Sequence, residues 1–149
     1  MPETTTAQEI TITRVFDAPR ELVWKAWTEP DQLAQWWGPR GSRTPLERIT
    51  MDLRPGGTFS VTTVSDDGSE MSIQGVYREV IEPERLVLDE PAEGAWHEGA
   101  VNVATFTDLG DGRTEMVVQT TIHTTDDMRV TAQAGMESTF DRLGEYLGG

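Results

Sequence analysis

The chain has 149 residues, of which 36% are hydrophobic and 26% charged, the size and balance of one globular domain with its own core. The formal net charge is −14. Nucleic acids and anionic membranes bind basic surfaces, so this balance argues against both as partners and suits a soluble cytoplasmic protein. The sequence has no cysteine, which excludes disulfides, thiolate catalysis and cysteine–zinc sites.

The N-terminal part of the chain is predicted to form one strand and two short helices. Residues 1–9 are polar and are expected to be a flexible terminus ahead of a single domain spanning residues 10–149. Alternating isoleucine and threonine predict a strand that ends at Phe16. Helices are predicted to start at Pro19 and Pro30, because proline is well tolerated in the first turn of a helix.

The middle of the chain is predicted to be six strands separated by glycine-, proline- and aspartate-rich turns. Apolar and polar residues alternate within residues 47–53, 58–64, 71–81, 85–89, 100–107 and 114–123. Residues 90–99 are expected to be a loop carrying Trp96 and His97. Gly75 lies in mid-strand, which indicates either a β-bulge or close packing of a helix at that point.

One long helix is predicted for residues 126–147, with Thr125 as its N-cap. Its apolar residues recur every three or four positions and so share one face: Met128, Ala132, Met136, Phe140, Leu143 and Leu147. A sheet with one apolar face needs a cover, and this helix is the only long one available. The fold class is therefore predicted to be α+β, with a curved antiparallel sheet of about seven strands wrapped around the C-terminal helix.

Short motifs spread over residues 10–147 carry a family resemblance that is specific in combination. They are Phe16-Asp17-Ala18-Pro19, Val23-Trp24-Lys25-Ala26-Trp27-Thr28, Trp36-Trp37-Gly38-Pro39, Asp52-Leu53-Arg54-Pro55-Gly56-Gly57, Gly75-Val76-Tyr77-Arg78-Glu79-Val80, Pro83-Glu84-Arg85-Leu86, Gly135-Met136-Glu137 and Asp141-Arg142-Leu143. With these motifs the chain resembles the activator-of-heat-shock-protein-90-ATPase homologues, within the Bet v 1/START-related (SRPBCC) superfamily. The resemblance implies a helix-grip fold with a cavity between sheet and helix. It also implies a binder of hydrophobic small molecules more often than an enzyme.

The sequence contains no recognisable catalytic or metal-binding constellation. His97 and His123 lack the closely spaced ligands that a zinc site requires. There is no Gly-x-Ser-x-Gly nucleophile motif, and the glycine pairs are better explained as turns than as phosphate loops. We therefore predict no catalytic residue, no metal and no cofactor.

The candidate ligand contacts are tryptophans and inward-facing strand and helix positions. Trp36 and Trp37 are adjacent, so on a helix they point about 100° apart, and one of them should pack inward while the other lies near an opening. The Tyr77 hydroxyl could orient a polar group on a ligand. The full set is Trp27, Trp36, Trp37, Met51, Phe59, Ile73, Tyr77, Val103, Met116, Val118, Met136 and Phe140.

Three functions fit these patterns. The leading hypothesis is a non-catalytic carrier or sensor of a small hydrophobic or amphipathic ligand. The second is a cyclase- or hydrolase-like enzyme using the same cavity, for which Tyr77, His123 and Glu47 are the candidate groups. The third is an interaction module that contacts a chaperone through the acidic surface. An exposed strand edge could also pair two chains into a homodimer.

Overall fold

The computed structural model describes residues 6–90 and 100–148, and an antiparallel sheet is its largest element. The elements in chain order are β1 (Thr6–Phe16), α1 (Arg20–Thr28), α2 (Pro30–Leu33), β2 (Ser42–Arg43), a 3₁₀ helix (Leu46–Arg48), β3 (Ile49–Met51), β4 (Thr58–Ser65), β5 (Glu70–Ile81), β6 (Arg85–Glu90), β7 (Ala100–Gly110), β8 (Arg113–Thr124) and α3 (Asp126–Tyr146).

The eight strands form a curved sheet in the order β1-β8-β7-β6-β5-β4-β2, and β3 also pairs with β4. All pairs are antiparallel. The sheet wraps the C-terminal helix α3, with α1 and α2 following β1 in the chain. This is the predicted helix-grip architecture. The strand that the sequence did not indicate is β2, which has only two residues and lacks any visible alternation.

Several boundaries differ from the sequence prediction, those of β1 and β3 among them. β1 begins at Thr6, within the segment expected to be flexible, because Thr6 pairs with Thr124 at the end of the long strand β8. The strand predicted at residues 47–53 is instead a turn of 3₁₀ helix followed by β3. Residues 1–5 lie outside the described residues.

Gly75 is explained by its neighbour β6 rather than by a bulge or by the helix. A side-chain carbon at Gly75 would lie 2.9 Å from the backbone oxygen of Asp89 and 3.0 Å from the Leu88 side chain. The irregularity in the register between β5 and β6 occurs two to four residues later, between Tyr77 and Glu79. Glycine at position 75 thus lets the two strands approach closely where the sheet bends.

Helix α3 starts at Asp126 as predicted and ends at Tyr146, one residue before the predicted end. Thr125 caps it, with its hydroxyl oxygen accepting a hydrogen bond from the Met128 amide at 3.2 Å. In its second half Phe140 and Leu143 are buried, and both belong to the apolar core. None of the helices in the described residues is both long enough and apolar enough to cross a membrane.

Candidate functional site

A cavity of about 440 Å³ lies between the sheet and α3, and we call it the α3 cavity. Its wall comes from the ends of α1 and α2, the loop after α2, strands β4 to β8 and the inward face of α3. The apolar wall residues are Trp27, Leu33, Trp37, Pro39, Phe59, Met71, Ile73, Tyr77, Leu86, Leu88, Ala104, Val118, Met128, Ala132, Met136 and Phe140. Alternation in the strands and the three-to-four spacing in the helix direct these side chains to the same space.

Aromatic rings line one end of the α3 cavity in a connected group. Trp27 packs against Phe106 and Phe140, with ring centroids 5.9 Å apart in both pairs. Trp37 lies 5.8 Å from Phe59, which in turn lies 6.0 Å from Tyr77. Offset and edge-to-face contacts of this kind stabilise aromatic groups beyond simple burial, so this end of the wall is well ordered.

Eight of the twelve residues predicted as ligand contacts line the α3 cavity. They are Trp27, Trp37, Phe59, Ile73, Tyr77, Val118, Met136 and Phe140. A ligand contact by any of them stays a prediction, because the structure contains no ligand. Six of these eight were chosen by strand parity or helix spacing, which therefore indicated part of a wall that has 24 described lining residues.

The other four predicted contacts are placed elsewhere. Trp36 is fully buried and donates its indole N–H to the Ala26 carbonyl oxygen at 3.0 Å, so it is part of the core between α1 and α2. Met116 is fully buried opposite Phe106 on β7. Met51 packs against the core from the short strand β3. Val103 is on the opposite face of β7 from its neighbours Asn102 and Ala104, which line the cavity.

Trp36 and Trp37 therefore divide as predicted, one inward and one at the wall, although α2 ends at Leu33 and both residues lie beyond it, so the helical angle is not the reason. Trp36 is inside the core, and Trp37 is half-buried at the cavity wall. The indole N–H of Trp27 is also buried, but it has no acceptor among the described residues.

Tyr77 lies on the cavity wall with only 3% of its surface exposed. Burial raises the pKa of its hydroxyl far above the ordinary value of 10.0, so this group is neutral at physiological pH. Within the described residues the Tyr77 hydroxyl has no hydrogen-bond partner. It is consequently free to bond to a polar group brought into the cavity.

A row of three polar side chains interrupts the apolar wall, and sequence reasoning missed it. The Asn102 amide donates to a Glu90 carboxylate oxygen at 2.6 Å, and the Thr120 hydroxyl donates to the Asn102 carbonyl oxygen at 2.8 Å. These residues lie side by side on β6, β7 and β8, and all three line the cavity. We call them the polar row.

The signal that could have found the polar row is parity. Asn102 shares a strand face with Ala104 and Phe106, whereas the parity assigned to β7 with Val103 inward takes the opposite face. Glu90 was assigned to the following loop but is the last residue of β6. It follows Leu86 and Leu88 on the inward face of that strand.

Glu90 is the only acidic residue among the described residues that line the α3 cavity. Burial raises the pKa of the Glu90 carboxyl, and the hydrogen bond from Asn102 offsets part of that rise. The described residues lining the cavity include no lysine, arginine or histidine. Of the other groups considered for enzyme chemistry, Glu47 and His123 are exposed. No three histidine, aspartate or glutamate side chains in the described ranges are grouped closely enough to hold a metal, and His97 lies outside those ranges.

Arg142 fixes one end of the α3 cavity by joining α3 to the loop that carries Trp37. One guanidinium nitrogen lies 2.8 Å from the Gly38 carbonyl oxygen and 3.3 Å from each of the Trp37 and Pro39 carbonyl oxygens. Arg40 in the same loop also pairs with Glu145. The position of the Trp37 ring is thus coupled to the second half of α3.

Comparison with protein families gives a match to the model described as Activator of Hsp90 ATPase homolog 1-like protein, over residues 17–148. Comparison with curated proteins gives no match.

Several solved structures have the same fold. An AHSA1 protein from Silicibacter pomeroyi superposes with a TM-score of 0.81 at 18% identity, covering 94% of this chain and 97% of that one. A protein from Nitrosomonas europaea gives 0.76 at 24% identity, covering 93% of both chains. CalU16 from Micromonospora echinospora gives 0.72 at 25% identity, covering 95% of this chain and 77% of that one.

Proposed function

This chain belongs to the family of Activator of Hsp90 ATPase homolog 1-like proteins, and we propose that it binds a small hydrophobic or amphipathic molecule in the α3 cavity as a non-catalytic carrier or sensor. The observation that carries this proposal is the unfilled space of about 440 Å³ between the sheet and its covering helix. Protein interiors are normally packed with few voids larger than a water molecule. Ligand pockets, in contrast, commonly have volumes of about 300–1,000 Å³ and mostly apolar walls.

The composition of the wall favours a ligand with an apolar body. Aromatic rings at one end offer large flat apolar surfaces, and they are already held in place by contacts with one another. Met71, Met128 and Met136 also line the cavity. Methionine is flexible and polarisable, so these side chains can adapt to ligands of different shape.

The exposure of two lining residues indicates where the cavity opens. Met71 and Met128 line the cavity, and yet 50% and 51% of their surfaces are exposed. These residues are on β5 and in the first turn of α3, respectively. We place the opening between these two elements.

The proposal is tested by binding measurements with a variant that fills the cavity. Ala132 lines the cavity on α3, and Ala134 lies two positions further along the same helix and is exposed. We expect Ala132→Trp to abolish the binding of lipophilic probes and Ala134→Trp to preserve it. Native mass spectrometry and calorimetry across a lipophile library measure both. If the unmodified protein binds none of the library, or if Ala132→Trp binds as well as Ala134→Trp, the proposal is wrong.

An enzyme using the same cavity is the second candidate, and Glu90 is the observation that favours it. Glu90 is partly buried and its pKa is raised, and a carboxyl in such an environment can act as a general acid or base. The same binding experiment separates the two functions, because the mass of the ligand extracted after incubation can be measured by mass spectrometry. A carrier returns the probe with unchanged mass, whereas an enzyme returns a product whose formation Glu90→Gln prevents.

The remaining sequence predictions concern partners and location. The outer edge of β1 has no pairing strand within the described sheet, which is the geometry that a homodimer through strand edges requires. A homodimer, a chaperone partner and a cytoplasmic location stay predictions.

A further inference from the structure

The polar row contains an acceptor that its own neighbours leave unused. Thr120 donates to the Asn102 carbonyl oxygen, which turns the Asn102 amide toward Glu90. The amide then occupies one carboxylate oxygen of Glu90. The other oxygen of Glu90 accepts no hydrogen bond from the described residues. Among the described residues, the arrangement therefore orients one carboxylate and leaves one of its two oxygens without a donor.

Among the described residues, this carboxylate also lacks a countercharge. The only titratable groups among the described lining residues are Glu90 and Tyr77, and α3 contributes no charged residue to the lining. On β6 the neighbouring Asp89 pairs with Arg78, at 3.1 Å, and neither residue lines the cavity. Desolvating an ionised carboxyl is costly unless a positive charge or further donors accompany it.

The net charge of the protein also favours a cationic ligand over an anionic one. A net charge of −14 attracts cations to the protein and repels anions. A fatty acid or a phosphate ester would have to bring a second negative charge next to Glu90. A protonated amine would instead supply both the missing charge and up to three donors.

The distance between the two ends of the cavity suits an elongated molecule. Asn102 and Phe106 are on the same face of β7, four residues apart, which corresponds to about 13 Å along a strand. Phe106 packs against Trp27 at the aromatic end. A ligand that spans the cavity can thus place an apolar tail among the rings while its head reaches the polar row.

We propose that the ligand is an amphipathic organic cation, with an apolar body and one amine group that binds the free carboxylate oxygen of Glu90. This inference rests on the proposed ligand-binding function and specifies its chemical class. Glu90 sets the preference for a cationic head. Asn102 and Thr120 are positioning residues that hold the carboxylate toward the cavity.

The test uses three probes with the same tail and different heads: dodecylamine, dodecanol and dodecanoate, each below its micelle concentration. Affinities are measured by calorimetry and native mass spectrometry for the unmodified protein, for Glu90→Gln and for Glu137→Gln. Glu137 is an exposed residue of α3 outside the cavity lining, so its substitution removes the same charge without touching the site.

We expect dodecylamine to bind most tightly to the unmodified protein and dodecanoate most weakly. Glu90→Gln should weaken dodecylamine binding by about tenfold or more, because a charge-assisted hydrogen bond is lost, and should change dodecanol binding by less than about threefold. Glu137→Gln should leave all three affinities within about twofold, because an exposed charge interacts weakly with the site.

Two results would overturn the inference while the ligand-binding function stands. One is equal or tighter binding of dodecanol or dodecanoate than of dodecylamine to the unmodified protein, a ranking that needs no variant to fold. The other is a loss of dodecylamine affinity in Glu90→Gln no larger than that in Glu137→Gln. If none of the three probes binds and the lipophile library also gives no binder, the ligand-binding function itself fails and this inference with it.

Discussion

The two halves of α3 have the same apolar periodicity but different roles. In the first half Met128 is 51% exposed, and Ala132 and Met136 face the cavity. In the second half Phe140 is 4% exposed and Leu143 is completely buried. A regular apolar stripe therefore predicts which way a helix faces, but whether that face is packed or left open depends on what lies opposite.

Polar contacts reinforce this division. The second half of α3 is held by ion pairs from Arg14 to Asp141 and from Arg40 to Glu145, and by Arg142 at the loop after α2. From the first half of α3 to the sheet, the described residues include a hydrogen bond from the Gln8 side chain to the Asp126 carboxylate. The second half stabilises the fold, and the first half covers the cavity.

The largest expected effect tests this difference in packing. Leu143→Ala should reduce the free energy of unfolding by about 3 kcal/mol, because it leaves a void in a filled core. Met136→Ala should cost about 1 kcal/mol or less, because the deleted atoms already border empty space. Urea unfolding of both variants measures the two losses. Equal losses would mean that the first half of α3 is packed as firmly as the second.

The next largest effect is expected at Arg142, whose hydrogen bonds hold α3 to the loop after α2. Arg142→Met keeps the apolar stem but removes the donors to the loop carbonyls, and should cost about 1–2 kcal/mol in unfolding free energy. Arg129→Met is the matched control in the first half, where the side chain bonds only to Gln133. We expect its cost to be about 0.5 kcal/mol or less. Thermal unfolding distinguishes them, and a control that costs as much as Arg142→Met would contradict the assignment of the anchor.

How much of this could be predicted from the sequence differs between the elements. The limits of α3, its Thr125 cap and the helix-grip arrangement follow from local periodicity and turn residues. The space between the first half of α3 and the sheet does not follow from the sequence pattern, because it depends on the curvature of the sheet opposite. Parity and hydrophobicity agree at Phe59 and Ile73, which line the cavity, but also at Met116, which is buried in the core instead. At Val103 the inward position belongs to the polar neighbour Asn102.

The smallest expected effects compare two acids whose pKa values shift in opposite directions. Glu90 faces the cavity, and burial raises its pKa above the ordinary 4.5, so the folded protein holds this proton more tightly than the unfolded chain does. That contribution favours folding at low pH and is lost as the pH rises through the raised pKa. Glu90→Gln should therefore stabilise the protein at neutral pH and above, with the gain disappearing as the pH falls below the ordinary pKa of 4.5.

Asp141, beside the second half of α3, behaves in the opposite way. The hydrogen bond from Arg14 holds the pKa of Asp141 below its ordinary value of 3.8, so the contribution is present above that value and is lost as the pH falls through the lowered pKa. Asp141→Asn should lower the melting temperature at neutral pH and not in strong acid. Melting curves of both variants as a function of pH make the comparison. Shifts of the same sign in the two variants at neutral pH would refute it.

The connected rings at the aromatic end also have an optical consequence. Neighbouring centroids from Trp24 through Phe106 and Trp27 to Trp37 are separated by only 5.9–6.3 Å. Electronic excitation passes efficiently between indoles at such short range, so light absorbed by any of these tryptophans can be emitted by another. A molecule resting against Trp37 alone would consequently alter the emission of the whole group, and the protein would signal its own occupancy without any added dye.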